Sequence, residues 1–454
     1  MLLLGLVALL QSQPVWAGGE GPAGPRPQLP EDYFPQLQAI LDDALRESPR
    51  MLLARLDLDA AAGDLTQARA GLYPVVRSTS RLMRASDLRK DRPGQTLNAT
   101  KTYYDVSLSQ PLFHWGEKRN NARIGQIRAS IAERNYAEGY RQLAREIRQG
   151  YLSLISLKSQ LIGARFTREQ AEAALRAAEE RVKTGFITNG ELFGPQIALE
   201  RAELGEASAE SAFIAAREQF EVLTGVPAPT EEELPDELPN IEPNPDSNGS
   251  LLAEFLRDPE PLTPALETLR QQVDVARLTY KNQKTRLRPK FSLVVGVSQD
   301  EQSYTINNAQ RYGVTSRYAG VQASWSIFDG WATRGAVRSS LARLRGAEAR
   351  YTQAQSATTR QARAAARALE LAQRQMQIND RLLGSSLNYL HIRQEDFAAG
   401  RVTRDTLDQA QAGYYSARAA ANTARLNFLM ARVEFLTKLD RDPLLEHFPK
   451  PNLK

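Results

Sequence analysis

The side chains best placed for chemistry are two carboxylates, Asp405 and Asp408, flanked by the guanidinium groups of Arg401 and Arg404. A spacing of three puts both acids on one helix face, and the arginines are near enough in sequence to pair with them. Such a cluster makes and breaks no covalent bond. It attracts cations and repels anions, and an exposed ion pair can latch it by at most about 1 kcal/mol. No reaction chemistry accompanies it. The three histidines, His114, His391 and His447, lie far apart and lack metal-ligand spacing. The sequence has no glycine-rich phosphate loop, metal cluster or nucleophile motif. We therefore expect no enzymatic activity, no metal and no other cofactor, and read His114 as an interfacial side chain rather than a ligand.

The acids sit just after a helix reversal. Gly400 falls where one helix must stop, and Thr403 caps the next, with Asp405 in its first turn facing the positive helix end. An earlier segment has the same design: Gly185, then Thr188-Asn-Gly-Glu191 with the spacing of a capping box. Each reversal interrupts a long proline-free run, Pro111 to Pro195 and Pro289 to Pro443, rich in Ala, Arg, Gln, Glu and Leu. Leu143, Ile147, Tyr151, Leu154 and Leu161 recur at helical spacing in one run. Leu369, Ala372, Met376, Leu383, Leu387 and Leu390 do so in the other. The spacing predicts one narrow apolar stripe per helix, as in a coiled coil. A helix from Gly116 to Lys183 would be roughly 100 Å long, too long for a compact domain.

Upstream of each run the period changes to two. Phe291, Leu293, Val295 and Val297 alternate with small or polar residues, as do Ala319, Val321, Ala323, Trp325 and Ile327, and as do Tyr104, Val106 and Leu108. A strand from Tyr73 to about Ala85 is weaker, interrupted by Arg77 and Arg81. Alternation of this length suits transmembrane strands. The strands run into the helices through SLSQPLFHWGEKR, 107–119, and QASWSIFDGWATR, 322–334. In the first of these corners Pro111 is expected to end the ladder, Phe113 to make the last apolar contact and Trp115 to sit at an interface. Trp325, Phe328 and Trp331 mark the second. One offset maps Ser109 onto Ser324 and Phe113 onto Phe328. It also maps Leu72 onto Leu287, Gly185 onto Gly400 and Phe220 onto Phe435. The chain reads as a tandem duplication with two strands per half. Four strands cannot close a barrel, and lipid tolerates no open edge, so several chains would have to share one.

Composition agrees with export. Among 454 residues, 42% are hydrophobic, and no apolar run is long enough for a membrane helix. Residues 1–17 read as a secretory signal peptide ending in Val15-Trp16-Ala17. No Lys or Arg precedes the apolar run, so either the amino group supplies the charge or the true start lies upstream. Without cysteine there is no disulfide framework and no acylated N-terminal cysteine. A net charge of +5 spread over 58 basic and 53 acidic residues is that of solvated helix faces, not of a nucleic-acid binder. The expected organisation follows. Residues 18–35 form a Pro/Gly-rich segment and 36–225 the first repeat, with a hairpin at about 72–113 and a tip at about 184–190. A Pro/Glu-rich linker, 226–258, precedes the second repeat, 259–440, with a hairpin at about 289–328, a tip at about 399–405, and a tail, 441–454.

The two corners, Gln110 to Gly116 and Trp325 to Gly330, and the two tips, Thr184 to Thr188 and Ala399 to Thr403, resemble those of the TolC-like outer-membrane efflux proteins. The resemblance runs over essentially the whole mature chain. It implies a mainly α fold with a membrane β portion: a homotrimer whose twelve-stranded barrel, four strands from each chain, stands in outer-membrane lipid above a periplasmic helical tunnel. It further implies a passive exit duct that docks a periplasmic adaptor protein and an inner-membrane transporter, in efflux or type I secretion. By the same resemblance Gly185, Thr188, Gly400 and Thr403 would face the adaptor, and Asp405 and Asp408 with Arg401 and Arg404 would ring a periplasmic aperture. One residue fewer separates the tip threonine from the first acid than in the family's best-known pattern. A soluble periplasmic coiled-coil scaffold is the competing reading.

Overall fold

A computed structural model of the chain describes residues 29–88, 96–241, 245–258, 263–302 and 312–442. The expected signal peptide, residues 18–28, residues 443–454 of the tail and His447 lie outside the described residues. Three helices, α1 (Pro30–Tyr33), α2 (Pro35–Glu47) and α3 (Pro49–Ala70), lead into strands β1 (Val75–Leu88) and β2 (Thr96–Phe113). Then come α4 (Glu117–Lys183), a 3-10 turn (Asn189–Leu192) and α5 (Phe193–Thr224). The second half has α6 (Pro245–Arg257), α7 (Pro264–Lys284), β3 (Lys290–Gln302), β4 (Tyr312–Ser324), α8 (Ala332–Ala398) and α9 (Arg404–Lys438). Pro30, Pro35, Pro49 and Pro264 open their helices. There the missing N–H breaks no bond and the fixed φ is already helical.

The halves repeat the same order of long helix, hairpin, long helix and returning helix. Helices α4 and α8 are each 67 residues long, with ends related by the offset that carries Ser109 to Ser324. Left-handed backbone falls at equivalent places too: Trp115 with Gly330, Gly116 with Trp331, Gly185 with Gly400, and Gly225 with Asp440.

The strands form one antiparallel sheet in the order β1-β2-β3-β4, and the β2–β3 ladder joins the halves (Val106 opposite Val297, Leu108 opposite Val295). The register sorts the faces. Val76, Val106, Leu108, Leu293, Val295, Val297, Ala319 and Val321 share one, interrupted by Ser78, Ser80 and Arg317. Arg77, Arg81, Lys101, Tyr103, Asp105, Ser107 and Tyr318 share the other. The arginines that weakened the β1 pattern are therefore on the polar face. There Arg81 lies 5.8 Å over the Tyr103 ring, and Asp105 accepts from Tyr318 Oη (3.1 Å) and Ser107 Oγ (3.2 Å). β1 and β4 are each paired on one side only, leaving two open edges.

The main core is far from the sheet, where Leu37 and Leu41 of α2 pack with Leu143, Ile147 and Leu154 of α4, Phe220 of α5, and Phe428 and Phe435 of α9. Truncating such a phenylalanine to alanine costs about 3–5 kcal/mol. Among the described residues no helix is long and apolar enough to cross a membrane.

Four expectations need correction. Pro111 does not end the ladder: it lies opposite Ser292, and pairing resumes at Phe113 opposite Phe291 after a register shift, a place where a residue without N–H is tolerated. Trp325 and Ile327 lie beyond β4, which stops at Ser324. The 226–258 stretch is not wholly irregular, because Pro245 opens α6. Even its irregular part is anchored, with Leu234, Leu238 and Ile241 each about 2% exposed or less. Finally, α8 has two apolar stripes rather than one. Leu369, Ala372, Met376 and Leu390 are buried and Leu383 half-buried, whereas Leu387 is exposed. A second row, Leu371, Ile378, Leu382, Tyr389 and Ile392, is also exposed. Within this chain α8 packs against α9 and α7, and the second row is left exposed.

Candidate functional site

Two places concentrate the candidate residues, the helix reversals at one end of α4 and α8 and the strand-to-helix corners at the other. At the reversals, glycine supplies the left-handed residue that ends each helix, Gly185 at φ 75° and Gly400 at φ 69°. Phe186 N donates to Arg181 O and Gly185 N to Val182 O (both 2.9 Å). Arg401 N donates to Asp396 O (2.7 Å) and Gly400 N to Phe397 O (2.9 Å) in the same pattern. The capping threonines follow. Glu191 accepts from Thr188 N (2.6 Å) and Thr188 Oγ1 (2.9 Å), bonds that hold its carboxyl below the usual range. Thr403 Oγ1 accepts from Thr406 N at 3.4 Å. Phe186, 82% exposed, stands out from the first turn, an apolar tip residue that the capping pattern did not single out.

The acid cluster differs from expectation in its partners. Arg401 pairs with neither Asp405 nor Asp408 but with Asp396 (2.8 Å), which also accepts from Arg393 (3.2 Å). The reversal of the chain at Gly400 folds Arg401 back onto the end of α8. Arg404 does pair with Asp408 (2.9 Å), one turn along α9, and the Gln170 amide of α4 reaches the same carboxylate at 2.7 and 3.0 Å. Asp405, exposed, accepts only from Gln409 Nε2 (3.0 Å) among the described residues and has no cation beside it. The structure thus brings Arg404 and Asp408 together, ties them to α4, and leaves Asp405 facing water.

At the corners, two tryptophans occupy a backbone region that bulky residues avoid, Trp115 at φ 54° and Trp331 at φ 68°, each next to a left-handed glycine. Such residues cost about 1–3 kcal/mol apiece, and surrounding contacts hold them there. Trp115 Nε1 donates to Pro289 O (2.8 Å), and its ring packs edge-on against Phe113 (4.8 Å). Trp331 packs edge-on against Phe328 (5.7 Å). Asp329, part of the second corner, caps α8 by accepting from Thr333 N (2.9 Å) and Oγ1 (2.6 Å). His114 Nε2 lies 3.3 Å from Ser292 Oγ. Pro111, Phe113, Trp115, Trp325, Phe328 and Trp331 therefore do gather at one level, where the sheet meets the helices.

Between the two ends Arg148, fully buried, is held by Glu31 of α1 (Nε to Oε2, 2.9 Å) and by Asp442 (Nη1 to Oδ2, 2.9 Å). Lys158 donates to Leu234 O (2.6 Å) and Asp236 Oδ1 (2.7 Å), pinning the linker.

Long paired helices crowned by a strip of sheet with an apolar and a polar face are the architecture of an outer-membrane channel subunit. The sequence matches the outer membrane efflux protein family over residues 40–226 and 262–439, and the chain belongs to that family. It is 27% identical over 368 residues to protein CyaE of Bordetella pertussis, covering 76% of this chain and 72% of that one. With the alkaline protease secretion protein AprF of Pseudomonas aeruginosa it shares 24% over 428 residues, 89% of this chain and 84% of the other. Its fold resembles the Campylobacter jejuni CmeC outer membrane channel, with a TM-score of 0.72 at 16% identity over 90% of this chain and 86% of that one. The protein is an outer-membrane component of an efflux or secretion system, a transport duct and not an enzyme. The soluble-scaffold reading falls with this membership.

Proposed function

We propose that three copies of the chain close one twelve-stranded barrel in the outer membrane, continued by a helical tunnel into the periplasm, as a passive duct. The observation that carries this is the pair of open edges on β1 and β4, which lipid would leave without hydrogen-bond partners. The exposed apolar rows on α8 (Leu371, Ile378, Leu382) and on α5 (Ile197, Leu204, Ile214) support it, as seams awaiting a neighbouring chain. In this arrangement the Asp105 face lines the lumen, and the two repeats, 36–225 and 259–440, each contribute a hairpin and a tip.

The reversals at Gly185, Thr188, Gly400 and Thr403, with exposed Phe186 among them, contact a periplasmic adaptor protein, and the adaptor couples the duct to an inner-membrane transporter. Asp405 and Asp408 from three chains converge at the tunnel's narrow end. Arg404 and Gln170 hold Asp408 there, while Arg401, paired with Asp396, braces the turn. The likeness to the alkaline protease secretion protein AprF favours a polypeptide as cargo. Single-channel recording tests the aperture. Asp405→Ala with Asp408→Ala raises conductance and weakens cation preference, most visibly at low salt where screening is weak. A double variant with the parent's conductance and selectivity would remove these acids from the aperture.

A further inference from the structure

The corners bear more than aromatic rings. Arg288 lies 4.6 Å over the Trp115 ring, itself edge-on to Phe113, and Arg334 lies 5.6 Å over the Trp331 ring, itself edge-on to Phe328. The same three-part cluster is thus built twice, although the duplication does not supply it: Arg288 and Arg334 are not repeat equivalents, and Trp331 stands where the first half has Gly116. Both guanidinium groups are exposed, and neither is paired with a carboxylate among the described residues. Around Arg288 the chain is basic: residues 281–290 hold Lys281, Lys284, Arg286, Arg288 and Lys290 and no acid, and of these Lys290 pairs with Glu117 (2.6 Å). Phe113 lies on the apolar sheet face, opposite Phe291, so its cluster continues the band of that face.

We propose that these two Arg-Trp-Phe clusters bind the phosphate headgroups of anionic phospholipids at the rim of the barrel. The proposal rests on the membrane placement above. An indole at the interface keeps the apolar part of the cluster among acyl chains. A guanidinium stacked on it is oriented at little cost in entropy and presents its donors to phosphate in a bidentate fork. The excess of cations around Arg288, beyond the Lys290–Glu117 pair, favours an anionic headgroup over a zwitterionic one.

The chain has its own probe. Its four tryptophans are Trp16, within the expected signal peptide, and Trp115, Trp325 and Trp331, all at this rim. The mature protein, reconstituted in phosphatidylcholine vesicles, is compared with a small fixed fraction of either brominated phosphatidylglycerol or brominated phosphatidylcholine. The expected result is stronger tryptophan quenching by the brominated anionic lipid. In Arg288→Gln with Arg334→Gln that preference falls by about fivefold per arginine removed. Equal quenching by the two lipids overturns the headgroup preference and leaves the membrane rim standing. No quenching by either overturns both.

Discussion

Gln110 and Trp325 occupy one position of the repeat and make one bond. Gln110 Nε2 donates to Leu72 O at 3.0 Å, and Trp325 Nε1 donates to Leu287 O at 2.9 Å. Each carbonyl belongs to the turn that carries a helix into a strand, so an amide in one half and an indole in the other tie that turn to the strand leaving the sheet. Trp325→Phe keeps the ring and loses the donor. Thermal unfolding is expected to show a loss of about 1 kcal/mol, with Trp325→Gln losing less. Equal losses would mean that packing, not the bond, holds the turn.

Arg148 is surrounded by carboxylates from opposite ends of the chain. Removing it leaves Glu31 and Asp442, 12% and 4% exposed, without their cation. Arg148→Met is expected to destabilise the helical portion by about 3–5 kcal/mol, read as loss of helical circular dichroism on heating. A shift too small to measure would show that water or other groups already satisfy these acids.

Two left-handed glycines should differ in what they tolerate. A β-carbon on Gly400 meets nothing within 4 Å, so Gly400→Ala bears the dihedral strain alone, about 1–2 kcal/mol. A β-carbon on Gly225 would collide with the Glu47 carbonyl, so Gly225→Ala adds a backbone clash. The expected order of melting temperatures is parent, Gly400→Ala, then Gly225→Ala. The reverse order of the two variants would contradict the packing of α5 against the end of α2.

Asp236 has its pKa lowered by the hydrogen bond from Lys158 and by that charge, from an ordinary 3.8. A carboxylate depressed on folding stabilises the fold above its unfolded value, and that contribution disappears as pH falls through the folded value. Protection of the amides across 226–241, measured relative to their intrinsic exchange rate, is therefore expected to fall below about pH 4, and Asp236→Asn should remove this pH dependence. An unchanged profile in the variant would show that other acids control the linker.

Much of this was legible in the sequence, and the reason differs from place to place. The duplication, the hairpins and the reversals at Gly185 and Gly400 are written in periods and turn residues that act locally. The partner of Arg401 was not legible, because Asp396 lies across a turn whose handedness decides which acid it meets. Nor was the second stripe of α8: a seven-residue spacing does not say whether Leu382 faces its own chain or another. The burial of Arg148 was not legible either, since Glu31 and Asp442 approach it only through the packing of α1, α4 and the residues after α9. Among the corner residues, the aromatics could be read but Arg288 and Arg334 could not, because cation and ring meet only when the strands and helices converge.

The number of chains in the assembled duct tests the account most directly. Native mass spectrometry of the mature protein, extracted gently from membranes, is expected to show three copies and no folded single chain, because β1 and β4 then have partners on both sides. A stable, folded monomer as the only species would contradict the shared barrel.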